Sequence, residues 1–198
     1  MDKLYYESKL HADGYKYVCG VDEVGRGPLA GPVVCAAVIM PEGSFIEGVD
    51  DSKKLTAKKR EKLAELIKQN AVGWAICRVK PQVIDEINIL QATRLCMKNA
   101  VQSLSIRPDF VLTDGNMALD IDIPQRSIIK GDALCYCIGA ASIIAKVARD
   151  TLMAQYAGVY PGYGFEHNAG YGTAAHITAI KERGLCPIHR RSFTKKWQ

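Results

Sequence analysis

The chain has 198 residues, 48% of them hydrophobic, which suits one compact domain with a sizeable core. No apolar run approaches the ~20 residues that cross a bilayer, and no apolar signal core follows the first residues, so a membrane-spanning helix is excluded and export is not expected. The formal net charge is +5, and residues 181–198 hold six basic side chains against one acid, so a basic tail, either a phosphate-binding surface or a solvated terminus, sits on a neutral body.

In chain order, residues 15–21 form the first expected strand, followed by an acidic pair and a Gly-rich bend. Residues 33–40 are a nearly unbroken apolar run, short enough for a buried strand. Residues 56–69 read as a helix with Thr56 as N-cap and Leu63, Leu66 and Ile67 on one face. Residues 71–79 read as a third strand. Pro81 opens a helix through about residue 104, since its missing N–H costs little in a first turn. Short strands follow at 109–113 and 126–130, each closed by an acid beside a glycine. Residues 133–156 read as one buried helix, and 173–183 as a last helix stopped by Gly184. Strands come first and then alternate with helices, which predicts one α/β domain with a mixed five-stranded sheet flanked by helices.

Seven cysteines (Cys19, Cys35, Cys77, Cys96, Cys135, Cys137 and Cys186) make an odd count without a C-x-x-C pattern. A disulfide framework or a zinc site is therefore not expected. Most lie in apolar stretches as small hydrophobes, consistent with a reducing, cytoplasmic setting.

Three segments share a pattern: Val21-Asp22-Glu23-Val24-Gly25, Leu112-Thr113-Asp114-Gly115 and Ile129-Lys130-Gly131-Asp132. Each places an acid beside or within two residues of a glycine at a strand's C-terminal end, where open α/β sheets bind ligands. Singly, each acid has a plainer role. Asp114-Gly115 makes a turn, Asp132 an N-cap for the next helix, and Asp22-Glu23 a solvated strand end. Gathered together they repel one another, and a divalent cation offsets that repulsion. Oxygen donors without histidine suit Mg²⁺ or Mn²⁺ better than zinc. Neighbours on a strand face opposite ways, so a shared cation at Asp22 and Glu23 requires a backbone break, which Gly25 and Gly27 permit. The matching chemistry is metal-assisted phosphoryl transfer.

These residues carry a family resemblance. Cys19-Gly20-Val21-Asp22-Glu23-Val24-Gly25-Arg26-Gly27-Pro28-Leu29-Ala30-Gly31-Pro32 resembles the opening motif of bacterial ribonuclease HII, a type 2 ribonuclease H. Asp51-Ser52-Lys53-Lys54-Leu55, Asn88-Ile89-Leu90-Gln91-Ala92-Thr93, Thr113-Asp114-Gly115-Asn116, Lys130-Gly131-Asp132, Ala140-Ala141-Ser142-Ile143-Ile144-Ala145-Lys146-Val147, Gly170-Tyr171-Gly172-Thr173 and His189-Arg190-Arg191-Ser192-Phe193 follow in family order. The resemblance implies a ribonuclease H-like fold with a helical C-terminal part, read as a single domain over residues 1–198 in which about 158–198 contact substrate. It implies that Asp22, Glu23, Asp114 and Asp132 are the catalytic, metal-binding set for Mg²⁺ or Mn²⁺. It also implies that Gly25-Arg26-Gly27 reads the ribose 2′-hydroxyl, the group that separates RNA from DNA, and that Tyr171 packs on the sugar of the next deoxynucleotide. Lys53, Lys54, Lys146, Arg149, Arg190 and Arg191 are candidate phosphate contacts. Their alternative is ordinary solvated charge, with Arg149 paired to Asp150. Val83 and Ala169 depart from the family pattern, which often has Glu and Lys there.

The implied activity is hydrolysis of RNA in RNA–DNA hybrids and cleavage 5′ to ribonucleotides embedded in duplex DNA, leaving 3′-hydroxyl and 5′-phosphate ends, by a cytoplasmic monomer with no membrane association. Three alternatives stand beside it. The sister ribonuclease HIII usually carries an extra N-terminal domain, for which Asp22 comes too early. A non-catalytic nucleic-acid-binding module would use the basic tail with Tyr160, Tyr163 and Phe165, but clustered acids repel phosphate. An acidic Ca²⁺-binding protein lacks a regular loop of alternating oxygen ligands.

Overall fold

The computed structural model describes residues 2–49, 52 and 55–197. In chain order the elements are α1 (Tyr5–Ala12), β1 (Val18–Val24), β2 (Val33–Ile39), α2 (Ala57–Asn70), β3 (Gly73–Val79), α3 (Pro81–Gln102), β4 (Phe110–Asp114), β5 (Gln125–Ile128), α4 (Gly131–Leu134), α5 (Tyr136–Val159), α6 (Phe165–Asn168), α7 (Ala174–Arg183) and α8 (Arg191–Thr194). A 3₁₀ turn, Lys195–Trp197, follows. The five strands form one mixed sheet in the order β3-β2-β1-β4-β5. β1, β4 and β5 run parallel, while β2 is antiparallel to both β1 and β3. The expected mixed five-stranded α/β architecture is what the chain adopts.

The unbroken apolar run of β2 has a simple cause, because both of its faces are covered. Cys35, Ala37 and Ile39 join a core with Ala92, Cys96 and Met97 of α3. Ala36 and Val38 join an opposite core with Leu63 and Ile67 of α2 and Ala140 and Ile144 of α5. A strand buried on both faces shows no polar alternation. β1 lies against α5 with little clearance: a Cβ on Gly20 would overlap the backbone of Cys137 and Ile138. Glycine is what lets this helix settle directly on the strand that carries the first two acids. A third cluster, with Tyr163, Phe165, Ile180 and Ile188, packs against Leu29, Ala30 and Met153. It ties the C-terminal segment to the loop after β1.

Four local features differ from expectation. α1 is not visible in the sequence pattern, because its one buried side chain is the charged Glu7. β1 begins later than residue 15, since the amides of Lys16 and Tyr17 are taken by the Asp109 carboxylate at 2.7 and 2.9 Å. The helix opened by Pro81 is interrupted at Asn88, whose φ of 66° and ψ of 166° are not helical. The Asn88 side chain then accepts from Leu90 and Gln91 N–H at 3.0 and 3.1 Å, so it restarts the helix as an internal N-cap. Finally, the buried helix expected at 133–156 is broken at the extended Cys135, which separates one-turn α4 from α5.

Candidate active site

Because β1, β4 and β5 are parallel, their C-terminal ends open on one edge of the sheet, where ligands bind in such sheets. β1 outruns β4. Its last partner there is Thr113, opposite Val21, while pairing with β2 continues to Val24. Asp22 and Glu23 therefore stand on an edge that β4 has left. The backbone break expected between them is not there, since both keep regular register with Ala36 and Cys35. The convergence comes from the side chain instead: Asp22 Oδ1 accepts from the Glu23 amide at 2.7 Å, which turns its carboxylate along the free edge. Asp114 closes β4, and one carboxylate oxygen from each of Asp22, Glu23 and Asp114 lies within 4.8 Å of the others.

Asp132 arrives by a different route from the one expected. Lys130 adopts the left-handed region with φ 59° at the N-cap position, and Asp132 sits inside the first turn of α4 rather than capping it. This bend aims the N-terminus of α4 at Asp114, whose Oδ1 accepts from Gly131 N at 2.6 Å. The Asp132 and Gly115 amides donate to Asp114 as well, and the Asp132 charge bears on it.

The electrostatics are those of acids crowded out of water. Burial, then the charges of Glu23 and Asp114, hold the Asp22 carboxyl well above the usual range, against hydrogen bonds from Ser142 and the Glu23 amide. Burial pushes Glu23 up to about 7 although Arg26 opposes it. Burial and the Asp132 charge raise Asp114 as well. Carboxylates in this state favour protonation unless a cation supplies the opposing charge. The donor set is all oxygen, with Asp22 and Asp132 only 4% and 8% exposed, and it fits a hard divalent ion.

Two serines support Asp22 that were not singled out from the sequence. Ser142 of α5 bonds to Asp22 and to Ser52 at 2.9 Å. The available signal was one hydroxyl within the buried run Ala140-Ala141-Ser142-Ile143. Ser52 lies in the Asp51-Ser52-Lys53-Lys54-Leu55 motif, of which Lys53 and Lys54 fall outside the described residues.

The Gly25-Arg26-Gly27 loop follows directly. Gly25 has φ 91°, which favours glycine, and a Cβ there would overlap the Arg149 side chain. Arg26 reaches back to Glu23 at 3.6 Å and stays 45% exposed. The half-exposed Tyr171 lies beside Gly27, with its ring edge 3.8 Å from where a Cβ would stand. The structure thus brings the loop and the tyrosine together next to the acids.

Arg149 and Arg190 require correction. Both are fully buried and face backbone, not solvent, so they are not phosphate contacts. Arg190 donates to the carbonyls of Gly25 (2.6 Å), Arg26 (2.8 Å) and Gly31 (2.8 and 3.0 Å). Arg149 donates to Pro32 (3.1 Å), Ala169 (2.9 Å) and Ala30 (3.2 Å). Nor does Arg149 pair with Asp150, which is held by Arg60 at 3.3 Å and Lys146 at 2.7 Å. Together the two arginines clamp the chain from Gly25 to Pro32. Lys146 lies one helical turn beyond Ser142, half-buried in its pair with Asp150. Arg191 is exposed, with its amide bound to Asp85 at 2.9 Å.

Comparison with known proteins places the chain in a family. The family model for ribonuclease HII matches residues 19–196. A ribonuclease HII from Chlorobium chlorochromatii is 53% identical over 195 residues, covering 96% of this chain and 94% of the relative. The crystal structure of ribonuclease H2 from Pyrococcus horikoshii superposes with a TM-score of 0.76 at 30% identity, over 90% of this chain and 95% of that one. A Bst ribonuclease HIII in complex with Mn²⁺ shares the fold, with a TM-score of 0.62 at 21% identity over 88% of this chain and 65% of that one. With its motifs matched from Cys19 onward, the chain belongs to the ribonuclease HII family and is a hydrolase that cuts RNA in RNA–DNA hybrids.

Proposed function

We propose that Asp22, Glu23, Asp114 and Asp132 hold Mg²⁺ or Mn²⁺, and that the enzyme cleaves 5′ to ribonucleotides embedded in duplex DNA, as well as within hybrids, leaving 3′-hydroxyl and 5′-phosphate ends. The observation that carries this is the meeting of three carboxylates within 4.8 Å on the sheet edge. When bound, the cation lowers the pKa of water and offsets charge on the leaving oxygen. Asp22 and Asp114, held by Ser142 and by the Gly131 amide, keep the donor oxygens in place. Gly25-Arg26-Gly27 meets the 2′-hydroxyl through backbone groups that glycine leaves uncovered. Arg26, paired with Glu23, couples that loop to the acids. Tyr171 supports the sugar of the next nucleotide across from Gly27.

Residues 158–198 are read as the substrate-contacting part of a single domain, because their core is built on Leu29, Ala30 and Met153. A reducing, cytoplasmic setting fits the seven free thiols. Among the described residues no helix is long and apolar enough to cross a membrane.

The test is cleavage mapping on a duplex with one ribonucleotide, in Mg²⁺ and in Mn²⁺, with Asp114→Asn beside the parent. The parent should cut once, 5′ to the ribonucleotide, and Asp114→Asn should lose at least a hundredfold in rate. Full Mg²⁺-dependent cleavage by the variant would show the site assignment to be wrong. Binding that ignores EDTA with no cleavage would favour a non-catalytic binding module.

A further inference from the structure

At the opposite end of α5 from the C-terminal core, α1 delivers one acid to the start of that helix. Glu7 is 6% exposed. Its Oε1 accepts from the Cys137 amide at 2.7 Å and lies 3.4 Å from Cys135 Sγ. The two sulfurs, Cys135 Sγ and Cys137 Sγ, are 3.6 Å apart. Glu7 Oε2 is buried without a hydrogen-bond partner among the described residues, a costly condition for a carboxylate. One oxygen and both sulfurs thus converge within 4.8 Å.

Both spacings match what a tetrahedral zinc-type ion demands. With metal–sulfur bonds of about 2.3 Å, two ligating sulfurs stand about 3.8 Å apart, and a sulfur and a carboxylate oxygen about 3.5 Å apart. Beside Glu7 and Cys137 opens a cleft of about 20 Å³, also lined by Ser8, His11 and Tyr136, enough for one water. His11, which also lines this cleft, is anchored by its Nδ1, donating to the Tyr15 carbonyl at 2.8 Å.

We propose that Glu7, Cys135 and Cys137 form a second cation site, selective for a thiophilic divalent ion of the zinc class and separate from the all-oxygen cluster at the sheet edge. Water in the adjoining cleft completes the coordination. As each metal–sulfur bond forms, the thiol proton leaves to solvent, so binding releases two protons with no change of oxidation state. Two soft donors exclude Mg²⁺ here, as hard donors disfavour a soft ion at Asp22, Glu23 and Asp114. The ion would join α1 to α5 across the bend at Cys135.

Titration of the reduced, metal-stripped full chain with Co²⁺ tests this. The expected result is sulfur-to-cobalt charge-transfer absorption that saturates at one ion per chain. It should persist in Asp114→Asn and vanish in Cys135→Ser/Cys137→Ser, while Glu7→Gln weakens the site at least tenfold. In case the double variant fails to fold, Zn²⁺ protection is read on the unmodified chain. Zn²⁺ should slow alkylation of Cys135 and Cys137 at least tenfold, mapped by mass spectrometry, and leave Cys77 and Cys186 unchanged. No charge-transfer band with excess Co²⁺, or unchanged alkylation of Cys135 and Cys137, would overturn the proposal.

Discussion

Arg190 decides between two pictures of the basic C-terminal segment, and Arg190→Lys separates them. A phosphate contact tolerates lysine, which keeps the charge. A backbone clamp does not, because only the planar guanidinium reaches several carbonyls at once. The buried Arg190 side chain serves Gly25, Arg26 and Gly31, and an ammonium of shorter reach satisfies one of them at best. Two buried carbonyls left unpaired cost about 1–3 kcal/mol each, so the loss is about 4 kcal/mol. For a domain of this length each kcal/mol is worth roughly 2–4 °C in Tm, so the midpoint should fall by about 10 °C. The assay pairs thermal melting with the salt dependence of binding to a duplex carrying one ribonucleotide, measured in EDTA. Arg190→Met should show a comparable or larger fall in Tm with the slope of log Kd against log salt unchanged. A Tm within about 1 °C of the parent for Arg190→Lys, with the Arg190→Met slope reduced by about one phosphate contact, would refute the clamp.

Other outcomes follow from the same geometry. Glu23 is raised from 4.5 to about 7, chiefly by burial. A raised folded-state value means stability that is present below about pH 4.5 and lost as pH rises through 7. In EDTA, therefore, Glu23→Gln should gain on the parent between pH 5 and pH 8 by up to about 3 kcal/mol in urea unfolding; a constant gap removes the argument, and saturating Mn²⁺ should close it. Gly20→Ala must push α5 off β1, since its methyl overlaps backbone at Cys137 and Ile138; overpacking of this kind should cost about 3 kcal/mol or more, read as a lower urea midpoint. Ala169 holds φ 46°, so Ala169→Gly should raise stability by up to about 1 kcal/mol in the same assay, and a fall would show that the left-handed turn carries no strain.

The acids were legible because their signals are local. Asp22, Asp114 and Asp132 each sit within a few residues of a strand end and of a glycine, and parallel strands carry such ends to one edge. Even so, the means of convergence was not legible. The anticipated break between Asp22 and Glu23 gave way to a carboxylate folded over its own neighbour's amide, a choice open only because β4 stops at Asp114. Asp132 was expected to cap a helix, but the left-handed Lys130 moved the cap two positions earlier and turned the amides toward Asp114. Asn88 was legible only as part of a family motif, whereas its work is to restart a helix.

The arginines mark a deeper limit. A guanidinium reads identically in sequence whether it is exposed or fully enclosed. What decides is where segments more than a hundred positions apart meet: Arg149 reaches Pro32 across 117 residues and Arg190 reaches Gly25 across 165. Those meetings depend on the C-terminal cluster around Tyr163 and Phe165 seating on Leu29 and Ala30. The acids can form once the sheet forms. The loop proposed to distinguish ribose from deoxyribose takes its shape only after the last forty or so residues have packed. Damage to the C-terminal core should therefore impair discrimination between RNA and DNA before it impairs the carboxylate cluster, and that order follows from which contacts are local and which are not.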